Sequence, residues 1–400
     1  MIDDIQQTAQ VDQKQSKAEA TKPISSDTVE DQPITNLKPP PEKKRMHSFR
    51  IWPSHLSKKK QIAIGVGLFL LVVGVLGGLW WYQNHHKPKA STTVTTKKVV
   101  AKPTTVASPL TGVQVAPALA ARPVTGVMIE NSPDARPQAG LKDAGVVFEA
   151  VAEGGITRFL ALFQESQPDY IGPIRSARPY YLDFLLPFDA SYAHVGGSPD
   201  AISQITSLGV KDMNQFYNGN YYQRVTSRYA PHNVYTSMAQ FDKLEASKGF
   251  TTSKFTGFPR KLKETPAAAV TARTIDLSIS GYLYNVHYDY DAASNSYLRS
   301  EGGKPHTDER SGAQLAPKVV IAIVMPSGID SDGAHTDYQT TGTGTVYIYQ
   351  DGIVTQGTWT KPDRKSQFVF TDANGAAIKL NPGQTWLSMV SSAASVSSKP

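Results

Sequence analysis

The sequence predicts an α/β (or α+β) N-terminal ectodomain with helices packed on a mixed sheet, then a smaller, mostly β domain, behind a single N-terminal transmembrane helix. Three observations predict this. Residues 62–82 read IAIGVGLFLLVVGVLGGLWWY, without a charge. Residues 109–260 alternate β-type runs with helix patterns that carry start and stop signals. Beyond Pro266 short β runs take over, two of them holding Asp-Gly or Asn-Gly between alternating apolar residues, a strong hairpin signal.

Residues 1–60 are polar, rich in Gln, Lys and Asp, and hold too few apolar side chains for a core, so a disordered cytoplasmic tail is expected. The apolar run at 61–82 spans about 31 Å as a helix, the thickness of a bilayer's hydrocarbon layer. Trp80, Trp81 and Tyr82 close it, where aromatic rings favour the membrane interface. Lys43, Lys44, Arg45, Arg50 and Lys58–Lys60 crowd its N-terminal side. The positive-inside rule then keeps the tail cytoplasmic and sends the folded domains outside, as a single-pass protein of the cell membrane. The charged segment ahead of the run is too long for a cleaved leader, so an uncleaved signal anchor is expected.

Thr, Lys and Pro dominate residues 83–108, an extended linker. The tail holds 11 Lys and Arg against 8 Asp and Glu, and residues 83–106 hold 5 against none. Of the +7 net charge almost none falls on 107–400, where 25 basic residues meet 26 acidic ones. That near-neutrality argues against a nucleic-acid partner. The absence of cysteine excludes disulfides, thiol catalysis and a lipid on an N-terminal Cys.

In 109–260 the strands expected are VTGVMIE, GVVFEAVAE, TRFLALFQE, YIGPI and ASYAHV. Helices are expected from Ser176, from Ser198 and from Ser237, the last with Gln240 completing a capping box and Gly249 as its stop. Residues 266–392 form the β-rich domain, and 393–400 read as a disordered tail.

Several strings resemble the bacterial YerB-type lipoprotein family, a two-domain family of unknown function. They include GVMIENSPDARPQAGLKDAGVVFEAVAEGGITRFLALF, IGPIRSARPYY, AHVGGSPDA, APHNVYTS, GGKPHTDERSGAQL and NPGQTWLSMV. The resemblance runs over about 109–391 and implies an envelope location and both domains, but no reaction. That family is held by lipid on a Cys; here the apolar helix takes the role.

The candidate site residues concentrate in the first domain. Gly196-Gly197 turning into a Ser198-Pro199-Asp200 helix start offers unpaired N–H groups to an anion. His194 just before it is not explained by helix initiation. Arg158, Arg175 and Arg178 suit phosphate or carboxylate ligands, and Arg228, His232 and Asn233 share one short loop. Glu130, Glu149 and Glu153 stand at strand ends, where Mg2+ is the cation they suit. KPHTD, with His306 and Asp308, and DSDGAHTD at 330–337 read as loops.

The expected function is a membrane-anchored envelope protein that binds an anionic ligand or an envelope protein partner. The strand-acid, strand-arginine and PIRSARP order is also similar to LytR-CpsA-Psr phosphotransferases, over about 100 residues and without their Arg-Ser-Asp and Pro-Arg-Asp strings. That similarity implies a cell-wall polymer or lipid-pyrophosphate-linked precursor as partner, with Glu130 and either Glu149 or Glu153 toward metal and Arg158, Arg175 and Arg178 toward phosphate.

Overall fold

The computed structural model describes residues 57–85, 104–330, 333 and 335–400. Most of the expected cytoplasmic tail, the linker at 86–103 and part of the 330–337 loop lie outside those residues. The chain divides into two units, 1–97 and 98–400.

Among the described residues the first unit holds one helix, Lys58–His85, long and apolar enough to cross a membrane. It is a few residues longer at each end than the apolar run, because Lys58–Lys60 and Gln83–His85 contain nothing that breaks a helix. Its apolar side chains, from Ile62 to Tyr82, are exposed. A helix apolar all round has no amphipathic stripe of the kind that packs against a protein core.

The second unit is built on one ten-stranded sheet. From one edge its strands are Val369–Asp372, Ile353–Lys361, Gly342–Gln350, Val319–Val324, Thr385–Val390, Val146–Val151, Thr157–Phe163, Thr125–Glu130, Ser191–Ala193 and Lys211–Asp212. The first five come from the β-rich region and the last five from the α/β region. They join where Thr385–Val390 runs parallel to Val146–Val151, with Trp386 beside Val147. Near-continuous apolar runs such as VVIAIV and TWLSMV suit strands covered on both faces. The two expected domains are therefore two halves of one sheet.

Side chains alternate between the faces. One face packs Met128, Phe148, Leu160, Ile321 and Ile348 against the helices Pro179–Leu185 and Pro199–Ser207. The other face carries two cores side by side. Val127, Val147, Phe159 and Trp386 meet the helix Met238–Lys248, and Val320, Ala322 and Tyr349 meet a five-stranded sheet. That smaller sheet is ordered Lys304–Pro305, Ser296–Glu301, Val286–Asp291, Thr274–Leu277 and Val396–Lys399.

Local signals place most elements. Ser198 Oγ accepts from Ala201 N at 3.3 Å and Ser237 Oγ from Gln240 N at 3.3 Å, capping their helices. Gly249 ends the second helix at φ 74°. Asp351 and Gly352, both at positive φ, turn the hairpin between Gly342–Gln350 and Ile353–Lys361.

Three expectations are corrected. The helix expected from Ser176 begins at Pro179, because Ala177 is engaged in a bridge with Gly197. YIGPI makes only isolated bridges, Ile171 to Thr236, Gly172 to Ala139 and Ile174 to Ile129. The last residues are no frayed tail: Val396–Lys399 pairs antiparallel with Thr274–Leu277, and Val396 packs on the core beneath.

Candidate functional site

The register of three strands sets the site. Glu130 is the cross-strand partner of Arg158, so both project from the same face, where the helix Pro179–Leu185 begins. Tyr180 Oη donates to Val151 O at 2.7 Å, and Tyr181 Oη donates to Arg158 O at 2.7 Å and to Ala150 O at 3.0 Å. Those two hydroxyls fix the helix start to the strand ends.

Three arginines and two carboxylates then form a ladder. Arg175 Nε donates to Glu130 Oε2 at 2.5 Å. Arg158, almost fully buried, lies 3.9 Å from the same oxygen and donates to Glu153. Arg178 donates to Glu153 Oε2 through Nε at 3.0 Å, and its Nη2 lies 2.7 Å from Oε1. Burial acts to raise the Glu153 pKa, but Arg158 and Arg178 outweigh it and hold the carboxyl below its ordinary value. Three positive charges against two negative ones leave the ladder with one excess positive charge. Only Arg175 and Glu153 reach solvent appreciably, with side chains 26% and 29% exposed. Among the described residues the two terminal nitrogens of Arg175 make no hydrogen bond.

Glu149 takes no part in the ladder. It pairs with Phe159, one residue along from Arg158, and so projects from the opposite face. There it accepts from Arg299 Nη2, Trp386 Nε1 and Ser388 Oγ, each at 2.9 Å, and is fully buried. Glu130, Glu149 and Glu153 are therefore not brought together, and among the described residues no group of three or more His, Asp or Glu is placed to hold a metal ion.

The buried centre around Glu149 ties the two halves of the chain. Arg299 stacks over Trp386 at 4.5 Å and donates to Tyr288 Oη at 3.0 Å and to His306 Nδ1 at 2.9 Å. His306 Nε2 meets Gln138 Oε1 at 2.8 Å. Since Arg299 can only donate, Nδ1 accepts and the ring proton sits on Nε2. Burial and then the charges of Arg299 and Arg136 hold the His306 pKa well below its ordinary value, so the ring stays neutral. Glu301 Oε1 accepts from Asn131 Nδ2 at 2.6 Å and lies 3.4 Å from both Arg136 and Arg299. Its Oε2 is buried without a hydrogen bond, 3.5 Å from His306 Nδ1.

Burial pushes the Glu301 carboxyl from 4.5 up to about 7, Arg299 opposing and Glu149 assisting. The folded protein thus holds this proton over a range where the unfolded chain has released it. Its contribution to stability is full below pH 4.5 and is lost as pH rises through about 7. Between pH 5 and 8 the wild type is expected to lose roughly 1–3 kcal/mol from this group. Glu301→Gln should flatten that part of the profile in urea melts; an unchanged slope would place the carboxyl's titration elsewhere.

Of the other sequence-chosen residues, the turn at 194–198 borders the ladder's backbone, Val195 N donating to Arg175 O at 3.0 Å and Ala177 N to Gly196 O at 2.9 Å. His232 meets Ser132, whose N–H donates to Glu130 Oε1 at 3.1 Å. His194 is fully buried, with Nδ1 2.7 Å from Gly196 O and Nε2 3.0 Å from Asp212 Oδ1, so it braces the glycine turn. Ser198 is spent on its cap. Arg228 donates to Asp134 O at 2.9 Å and Pro137 O at 2.7 Å. His232 Nδ1 lies 3.3 Å from Ser132 Oγ, and Asn233 Oδ1 accepts from Arg224 at 3.0 Å. Sequence reasoning passed over Arg136, Arg299, Glu301 and Trp386, and read His306 as a loop residue, which it is, without foreseeing that it is buried. A charged residue on the inward face of an alternating strand, as Arg299 is in SYLRSE, was the available signal.

Comparison with known proteins gives matches over the same span. Residues 110–251 match the N-terminal domain of the protein of unknown function DUF3048, and residues 275–387 match its C-terminal domain. "Putative lipoprotein YerB" of Bacillus subtilis (strain 168) is 31% identical over 256 residues, 63% of this chain and 76% of that protein. The crystal structure of the YerB protein from Bacillus subtilis superposes with a TM-score of 0.66 at 31% identity, covering 73% of this chain and 99% of that one.

Proposed function

The chain belongs to the DUF3048 family, and from that premise we propose that it is a membrane-anchored, extracytoplasmic envelope protein whose folded unit binds an anionic ligand at Arg175. The relative's name as a lipoprotein supports the envelope location. The apolar helix Lys58–His85 supports a peptide anchor in place of lipid, and its basic N-terminal flank supports a cytoplasmic N-terminus. The observation that carries the ligand reading is Arg175 itself. It stands at the solvent end of a ladder with one excess positive charge, with two guanidinium nitrogens uncommitted among the described residues. Such an edge suits bidentate contact with phosphate or carboxylate.

Because the sequence holds no cysteine, introduced ones report topology cleanly. A membrane-impermeant maleimide added to intact cells is expected to label Ala373→Cys, in an exposed turn, and to spare Ser26→Cys. The reverse pattern would put the folded unit in the cytoplasm. For the ligand, inorganic pyrophosphate is the probe, titrated calorimetrically into the full chain in lipid nanodiscs. Saturable binding is expected, weakened at least tenfold by Arg175→Ala, unchanged by Lys142→Ala and weaker in high salt. No binding, or binding indifferent to Arg175→Ala, would overturn the assignment.

A further inference from the structure

A cleft of about 420 Å³ lies between the segment that follows the helix Met238–Lys248 and the loop that joins Ile353–Lys361 to Val369–Asp372. It is lined by Pro187, Lys254, Phe255, Thr256, Lys365 and Gln367, none of which belongs to the arginine ladder. Its volume falls within the roughly 300–1,000 Å³ range of ligand pockets.

We propose that this cleft is a second anion site, which takes the phosphate group of a phosphate monoester.

Three observations carry this. The first is the sign of the lining, which offers two ammonium groups, an amide and a hydroxyl, and no carboxylate. Lys254 and Lys365 are exposed, and among the described residues neither ammonium has a hydrogen bond or an ion pair. Asp189 and Asp363, the acids beside Pro187 and Lys365 in the chain, are engaged elsewhere. Asp189 lies 2.9 Å from Lys211 Nζ and accepts from Lys254 N at 2.8 Å. Asp363 Oδ1 accepts from Lys365 N at 2.8 Å and Ser366 N at 2.9 Å, and Oδ2 from Ser366 Oγ at 2.6 Å.

The second is an unmet donor. Gln367 Oε1 accepts from Phe368 N at 3.0 Å, which fixes the amide and leaves Nε2 for another partner. That nitrogen is buried without one. A buried donor lacking an acceptor is costly, and an oxyanion seated against this wall supplies the acceptor.

The third is order in both walls. Lys361 is fully buried and donates to the carbonyls of Asp363, Arg364 and Ser366, so the loop that carries Lys365 and Gln367 is held from within. Across the cleft Ser253 Oγ donates to Asp189 O at 2.8 Å, and Phe255 packs against Phe188 with ring centroids 5.7 Å apart. Lys254 and Thr256, on either side of Phe255, are left exposed. Groups already in place lose less freedom when a ligand arrives. A phosphate monoester presents three terminal oxygens and close to two charges to such a set, where a carboxylate presents two oxygens and one charge. Two separate ammonium groups lack the fork of Arg175, so binding about tenfold weaker than at the ladder is expected.

The test uses the full chain in phosphatidylcholine nanodiscs, with Arg175→Ala in place so that the ladder does not compete, and methyl phosphate as the probe. Calorimetry should show one saturable site, and amide exchange at 363–367 should slow as it fills. Lys254→Gln combined with Lys365→Gln should weaken binding at least tenfold. Both side chains are exposed, so that variant should fold. Lys142→Gln, at an exposed lysine outside the lining, should leave binding unchanged, and methyl sulfate, with less charge, should bind more weakly. With Arg175 intact, the double lysine variant should keep its pyrophosphate binding, so either site can fail alone. Slowed exchange at 363–367 before any addition, in nanodiscs doped with phosphatidic acid, would assign the monoester to a lipid headgroup; unchanged exchange there would assign it to a soluble ligand. The proposal is overturned if methyl phosphate does not bind, if the double lysine variant binds it as well, or if Lys142→Gln weakens it as much.

Discussion

Arg299→Ala is expected to destabilise the folded unit by about 3–5 kcal/mol, the range for removing one partner of a buried ion pair. Arg299 and Glu149 are both fully buried, 2.9 Å apart. Without the guanidinium, the Glu149 carboxylate keeps only Trp386 Nε1 and Ser388 Oγ as donors. His306 Nδ1 and Tyr288 Oη lose a partner as well, and Trp386 loses the cation stacked on it. Urea midpoints at unchanged slope would measure the loss. The double variant Arg299→Met with Glu149→Leu should recover part of it, because it removes the stranded charge along with its partner. A loss under about 1 kcal/mol for Arg299→Ala would mean that the centre is looser or wetter than described.

Lys361→Met is expected to cost about 2–4 kcal/mol, the scale of charge-assisted hydrogen bonds left unmade at a buried site. Lys361 is fully buried, and its ammonium donates to the carbonyls of Asp363, Arg364 and Ser366 at 2.8, 2.9 and 2.7 Å. Burial lowers its pKa to about 8, so the group remains charged at neutral pH. Methionine fills the volume and leaves three carbonyl oxygens without that donor. The loop they belong to carries Arg364, which pairs with Asp183 on the helix next to the ladder. Amide exchange in residues 363–366 should rise along with the stability loss. Unchanged exchange there would show that the ammonium does not hold the loop.

Local chemistry made much of the fold legible. Ser198, Ser237 and Gly249 mark helix ends by hydrogen-bonding needs that any chain must meet, and Asp351-Gly352 supplies the backbone that a tight hairpin requires. What sequence could not give was the partner of a strand far away in the chain. Trp386 and Glu149 are 237 residues apart, yet they lie on adjacent strands. Apolar runs declare that a strand is buried on both faces without saying beside which neighbour. The two domains read from the sequence are for that reason joined through one shared sheet.

The site was legible by residue type and illegible by pairing. Arg158, Arg175 and Arg178 stood out as basic residues near a helix start, and they do gather there. That Glu130 and Glu153 answer them depends on the register of Thr125–Glu130 against Thr157–Phe163, which no local pattern fixes. Glu149 was legible in principle. In VVFEAV it falls on the face of Val147 and opposite Phe148, so it could not join a carboxylate cluster on the helix side. Ser-rich residues at 393–400 suggested fraying, but pairing with Thr274–Leu277 and the packing of Val396 order Val396–Lys399.

Calorimetry of the full chain tests most directly whether both candidate sites belong to one folding unit built from the two matched regions. One cooperative transition is predicted for residues 98–400, with calorimetric and van't Hoff enthalpies in agreement. Arg299→Ala should move that whole transition to lower temperature. Two separable transitions, with Arg299→Ala shifting only one of them, would contradict the account.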